Sequence, residues 1–164
     1  YMVDKALELL GATPGEKLYA VCETTKCAPD PLQVITHCTT GNHRLTVIPI
    51  GRFALTMNRP STDDHAVGFR VKVDVGKLDG TPTLKAWFAN SSDFDGMTMK
   101  KKLVEEILDI GTGMLSLEKV RIPVSHKKKW KTVICTSCGE PVPDNLVENG
   151  LCPGCGSQKY YEKI

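Results

Sequence analysis

Apolar positions fall at helical spacing from the first residues of the chain. Val3, Ala6, Leu7 and Leu10 share one face, and Gly11 follows as a natural C-terminal stop. Lys17 to Glu23 alternates apolar and polar side chains, which predicts a strand. A second helix is predicted with Asp30 as its N-cap, Pro31 at the first helical position and Gln33 completing a capping-box-like pattern. It should end near Gly41, with Leu32 and Ile35 facing inward, joined by Val34 and Cys38. Arg44 to Ile50, Phe53 to Asn58 and Ala66 to Asp74 are rich in β-branched and aromatic residues and predict three strands. Their hairpin-length connections favour antiparallel pairing. Leu84 to Phe88 is predicted as a further short strand, Thr98 to Ile110 as a third helix closed by Gly111 and Gly113, and Leu117 to Val124 as a last strand. Helices and strands fall in segregated blocks, so the expected fold is α+β with a mostly antiparallel sheet. The helical pattern starts at the first residues with no capping residue before it, which implies a preceding segment.

Composition narrows the possibilities only slightly. The 164 residues are 41% hydrophobic and 24% charged, values of a folded chain and not of a disordered one. Twenty-one basic against 19 acidic side chains leave a net charge of +2, too small to argue for a nucleic-acid or membrane partner. No apolar run approaches the roughly 20 residues of a membrane span.

The seven cysteines change the picture. Four lie near the end as two C-x-x-C pairs, Cys135–Cys138 and Cys152–Cys155. Without a secretory signal, such pairs read as metal ligands in a reducing cytoplasm before they read as disulfides or free thiols. Two knuckles supply four thiolates in a tetrahedron, the ligand set of structural zinc, with no position left for a reactive water. Gly139 and Gly156 follow the knuckles, where a positive φ is expected. Gln158 to Ile164 is predicted as a strand packing Tyr160 or Tyr161 on a knuckle. These features predict a small zinc finger, a treble clef or ribbon, over residues 127–164, appended to an α+β core over residues 1–126. Lys127, Lys128, Lys129 and Lys131 surround Trp130 at the join. A solvated linker is favoured there over a nucleic-acid grip.

The other cysteines form a looser set. Cys22 lies in a predicted strand as a small hydrophobe. Cys27 sits three residues before Asp30, near the positive end of the second helix, a position suited to a metal ligand or nucleophile. Cys38 follows His37 near that helix's other end, so local structure alone does not bring Cys27 and Cys38 together. No nucleophile–base motif, phosphate loop or dinucleotide fingerprint is present, and no catalytic residue follows from the sequence beyond Cys27 as a candidate.

The run Ala6-Leu7-Glu8-Leu9-Leu10-Gly11, then Cys27, Asp30, Leu32, Gln33, Thr36, Cys38, Thr39 and Gly41 at their mutual spacing, resembles the E-subunit family of formylmethanofuran dehydrogenase. Gly51, Phe53, Ala54 and Asn58-Arg59 fit as well, and several members carry a C-terminal zinc finger matched by Cys135, Cys138, Cys152 and Cys155. The resemblance implies an α+β core, often a homodimer, with an appended treble clef. It also implies a second metal site in the core, involving Cys27, Asp30 and Cys38 together with an upstream His-x-Cys-Pro-Gly motif that this sequence lacks. The family name further implies partner subunits of a larger oxidoreductase complex, whose pterin and metal belong to those other subunits.

The function expected is therefore that of a metal-binding accessory subunit, or a stand-alone relative, with one structural zinc. Two alternatives stand beside it: a zinc-finger nucleic-acid binder, and a small metal or thiol enzyme using Cys27.

Overall fold

A computed structural model describes residues 1–124 and 129–162. The chain divides into two compact units, Tyr1–Val124 and Ser125–Ile164. In the first unit, α1 (Met2–Leu10) leads to β1 (Tyr19–Cys22), α2 (Pro29–Thr36), β2 (Leu45–Val47), β3 (Ala54–Asn58) and β4 (His65–Val73). Then come α3 (Pro82–Phe88), α4 (Lys100–Ile110) and β5 (Leu115–Pro123). The five strands form one sheet in the order β2-β1-β3-β4-β5. Three of its four pairings are antiparallel. β2 instead runs parallel to β1, with Ala20 opposite Leu45, because α2 lies between the two strands and returns the chain in the same direction. The fold is α+β. Among the described residues no helix is long and apolar enough to cross a membrane.

The core gathers Ala20 and Cys22 of β1, Leu55 and Met57 of β3 and Val71 of β4 against Val3 and Ala6 of α1, Leu32 of α2, Leu84 of α3 and Leu103 of α4. All five residues of β3, the central strand, are buried. In β4 the burial alternation changes parity: Ala66 and Gly68 are buried at one end and Val71 at the other. Successive strand residues point to opposite faces, so the two ends of β4 bury opposite faces of the sheet.

Helix ends explain several departures from the sequence expectations. α1 ends as expected, with Gly11 in the left-handed region at φ 58°. Its last carbonyls are further held by Arg59, which follows β3 and donates to Leu10 O at 2.6 Å and Gly11 O at 3.1 Å while pairing with Glu16. α2 starts two residues earlier than predicted. Ala28 is its N-cap and Asp30 lies inside the first turn, because Pro29 already fixes a helical φ and has no N–H to satisfy. α2 also stops at Thr36, short of Gly41. His37 takes a left-handed φ of 55°, and its carbonyl is held by Asn42 Nδ2 and Arg44 Nη2, both at 2.7 Å. Leu32 and Cys38 are buried as predicted, but Val34 is 75% exposed and Ile35 is also exposed. With only eight residues, α2 buries a narrow stripe and turns both of these side chains outward.

The segment predicted as a strand over Leu84 to Phe88 is helical, as α3. Five apolar-rich residues do not distinguish a strand from a buried helix, and Pro82 in the first turn favours the helix. Glu106 of α4 accepts the Leu84 N–H at 2.7 Å, so a tertiary contact caps the turn that no local side chain caps.

At the end of β1 the sheet carries an ion network. Glu23 Oε1 and Oε2 take Arg70 Nε and Nη2 at 2.5 and 2.8 Å. Arg70 Nη1 also reaches Glu118, which pairs with Lys72. Glu23 is buried, and the Arg70 guanidinium holds its carboxyl below the usual carboxylate range while burial opposes this. A depressed folded-state value means that the stabilisation is present above the ordinary value of 4.5 and is lost as pH falls below it. Glu23→Gln is therefore expected to cost about 2 kcal/mol at neutral pH and to flatten the acid limb of stability. Urea midpoints from pH 7 to pH 3 check this. An acid limb as steep as that of the parent chain would refute it.

Candidate metal centre

The second unit is built around its cysteines. β6 (Thr132–Ile134) and β7 (Pro141–Pro143) form a two-stranded ribbon, with Thr132 opposite Pro143. The first knuckle, Cys135 to Cys138, is the turn between these strands. It closes through Gly139, whose φ of 76° meets the expectation of a left-handed residue. Gly156 does not have a positive φ. The second knuckle instead closes by helical-type turns, with Gly156 N donating to Cys152 O at 3.0 Å.

The knuckles are tied together by backbone. Gly150 O accepts both Thr136 N at 3.0 Å and Thr136 Oγ1 at 3.1 Å. Gly150 has a φ of 82°, and a Cβ there would meet the Thr136 side chain at 3.2 Å. Its link to Thr136 spans fourteen residues and has no local signature.

These contacts bring the four sulfurs of Cys135, Cys138, Cys152 and Cys155 within 4.8 Å of one another. Cys152 N donates to Cys135 Sγ at 3.3 Å, and Cys138 Sγ lies 3.9 Å from Cys152 Sγ. A tetrahedron with metal–sulfur bonds of about 2.3 Å has edges of about 3.8 Å, which the Cys138–Cys152 separation matches, and the other sulfurs lie close enough to join them around one ion. Backbone N–H groups of Cys138, Cys152 and Ser137 pull the Cys135 thiol down to about 6. Cys138 also accepts from the Glu140 backbone, but burial and the neighbouring thiols outweigh this and push it up to about 12. Burial and neighbouring thiols likewise raise Cys152 against the Cys155 backbone. Cys135 gives up its proton most readily, and a divalent cation displaces the protons that Cys138 and Cys152 hold more tightly. The four cysteines can therefore bind a metal ion.

The early cysteines are placed differently. Cys22 is buried, with its thiol directed to Thr24 O at 3.3 Å. Cys38 is fully buried and donates to Leu18 O at 3.2 Å, whereas Cys27 is exposed. Among the described residues, the tail cysteines are the only three or more Cys, His, Asp or Glu side chains with ligand atoms so close, so Cys27, Asp30 and Cys38 are not brought together. The eight-residue α2 between the two cysteines is about 12 Å long and keeps its ends apart. Lys127 and Lys128 of the basic run lie outside the described residues. Gln158 to Glu162 forms no strand. Tyr160 and Tyr161 instead make an edge-to-face pair, ring centres 5.0 Å apart, beside the knuckles. Ile164 lies outside the described residues.

Fold and site together define a small α+β protein whose tail clusters four cysteines able to bind a metal ion. The family described as "FmdE, Molybdenum formylmethanofuran dehydrogenase operon" matches residues 1–122, and the chain belongs to this family. It is similar to the crystal structure of a tungsten formylmethanofuran dehydrogenase FmdE-like protein from Syntrophus aciditrophicus. The two are 32% identical with a TM-score of 0.78, over 98% of this chain and 82% of that one. It is also 28% identical to a protein of Archaeoglobus fulgidus named "Probable S-adenosyl-L-methionine-binding protein", over 94% of this chain. The chain spans 46% of that relative's length.

Proposed function

We propose that the chain is a zinc-binding accessory protein of the formylmethanofuran dehydrogenase type, acting as a subunit or a stand-alone relative in the cytoplasm, with one structural zinc in the tail. One observation carries this reading: four thiols from two knuckles lie within 4.8 Å of one another, with Cys138 Sγ and Cys152 Sγ 3.9 Å apart. A zinc held by four thiolates supplies structure and keeps no open position for a reacting water. Cys135 and Cys152, the buried pair, anchor the knuckles. Backbone donors to Cys135, Cys138 and Cys152 offset part of the negative charge that the bound thiolates carry.

Protein purified under reducing conditions without chelator is expected to carry one zinc per chain by inductively coupled plasma mass spectrometry. Loss of zinc in Cys135→Ser and its retention in Cys27→Ser would place the ion in the tail. A metal-free parent chain would refute the proposal. Self-association into a homodimer belongs to the same reading, supported by β5, a nine-residue strand at the edge of the sheet. A single-chain mass by light scattering at micromolar concentration would count against it.

A further inference from the structure

The four tail thiols are not equivalent. Cys135 is 1% exposed and Cys152 8%, whereas Cys138 and Cys155 are half-buried. A cleft of about 290 Å³ opens on one side of the cluster and is lined by Cys138, Cys152 and Cys155, but not by Cys135. Val142 and Pro153 form part of its wall, and Tyr160 and Tyr161 line it as well. Tyr160 is 86% exposed, so the aromatic pair stands at the mouth and not in the floor. On the far side Cys135 is locked by the Cys152 N–H and by the Glu140 carbonyl, which accepts Cys135 N at 3.0 Å. Cys138 and Cys155 thus have both solvent access and the open side.

We propose that this cleft is the route by which the tail's metal enters and leaves, with Cys138 and Cys155 the last thiolates to bind and the first to let go, and the Tyr160–Tyr161 pair restricting access. The proposal rests on the metal-binding reading above. The partner is a compact chelating donor, small enough for the cleft, that exchanges the ion in steps. The incoming donor forms one bond to the metal, one Cys–metal bond breaks, and the departing thiolate takes a proton from water. Cys135 holds the ion until the last step, because no face of it meets the cleft.

The experiment uses the full chain, after its zinc content has been measured as one per chain. Limiting N-ethylmaleimide is added, and each cysteine is followed by peptide mass spectrometry at early times. Exposed Cys27 serves as the fast reference, and buried Cys22 and Cys38 as the slow one. Cys138 and Cys155 are expected to label about tenfold faster than Cys135 and Cys152. Equal labelling of all four, or Cys135 first, overturns the proposal. A second measurement follows zinc transfer to 4-(2-pyridylazo)resorcinol. The double variant Tyr160→Ala, Tyr161→Ala is expected to transfer about tenfold faster than the parent. An unchanged rate overturns the role given to the tyrosines. A chain isolated without zinc overturns the metal reading and the route with it, and the initial zinc measurement tells that failure apart from a wrong labelling order.

Discussion

Removing the metal is expected to unfold the tail and leave the α+β unit standing. Among the described residues after Lys129, the buried side chains are Cys135 and Cys152 and no others. The unit's interior is therefore made of two of its four clustered cysteines. Its ribbon has three residues per strand, and an isolated ribbon of that size is marginal in water. Structural zinc contributes an apparent 10–16 kcal/mol or so in small finger peptides at neutral pH, more than any other contact in this tail supplies. Adding a strong chelator, or substituting Cys135→Ser, should therefore abolish hydrogen-exchange protection at Thr136 N, Gly139 N and Cys152 N. Protection in β1 and β3 should not change. A chain ending at Val124 should keep the cooperative melt of the full protein's first unit, because Leu32, Leu55, Met57 and Val71 are all retained. Tail amides that stay protected in chelator would refute the first expectation, and a truncated chain without a cooperative transition the second.

Gly68→Ala is expected to cost the first unit about 3 kcal/mol. Gly68 sits within β4, opposite Asn58 of β3 and Val120 of β5. A Cβ there would run into the Met57 carbonyl oxygen, and it would lie 2.8 Å from Ile122 Cδ1 and 2.9 Å from Asn58 Cβ. The first obstacle is backbone of the central strand, which no rotamer change relieves. Gly80→Ala is the matched control, since a Cβ at Gly80 meets nothing within 4 Å, and it should change stability by less than about 0.5 kcal/mol. Chemical denaturation of both variants provides the comparison. A Gly68→Ala midpoint close to that of Gly80→Ala would show that the strands part more easily than this packing implies.

The tail is legible in the sequence because its chemistry is local: each knuckle places two ligands three residues apart, and the residue types admit few readings. α1 is legible for a similar reason, with one apolar face and a glycine at its end. What escapes the sequence depends on partners far along the chain. Arg59 caps α1 from 48 and 49 residues away. Arg70 meets Glu23 across 47, and Glu106 caps α3 across 22. None of these pairs leaves a periodic or spaced signature. Val34 and Ile35 depart from expectation because hydrophobicity shows which side chains would gain from burial, not how wide a stripe a two-turn helix has to offer. The resemblance draws Cys27, Asp30 and Cys38 together, while α2 keeps Cys27 and Cys38 at its two ends.

The parity change in β4 bears on how the sheet avoids mispairing. A hairpin with one buried face resists a slip of one residue, which turns its apolar set outward, but tolerates a slip of two more easily. Here a slip of one brings Arg70 or Lys72 to the place of Val71 at one end and bulky Val67 or Phe69 to the tight positions at the other. A slip of two keeps the faces but puts Ala66 or Arg70 where only Gly68 fits. Both errors are blocked by sterics inside the strand and not by the loop that precedes it. The Thr62–Asp64 connection should therefore accept inserted residues without loss of pairing fidelity between β3, β4 and β5.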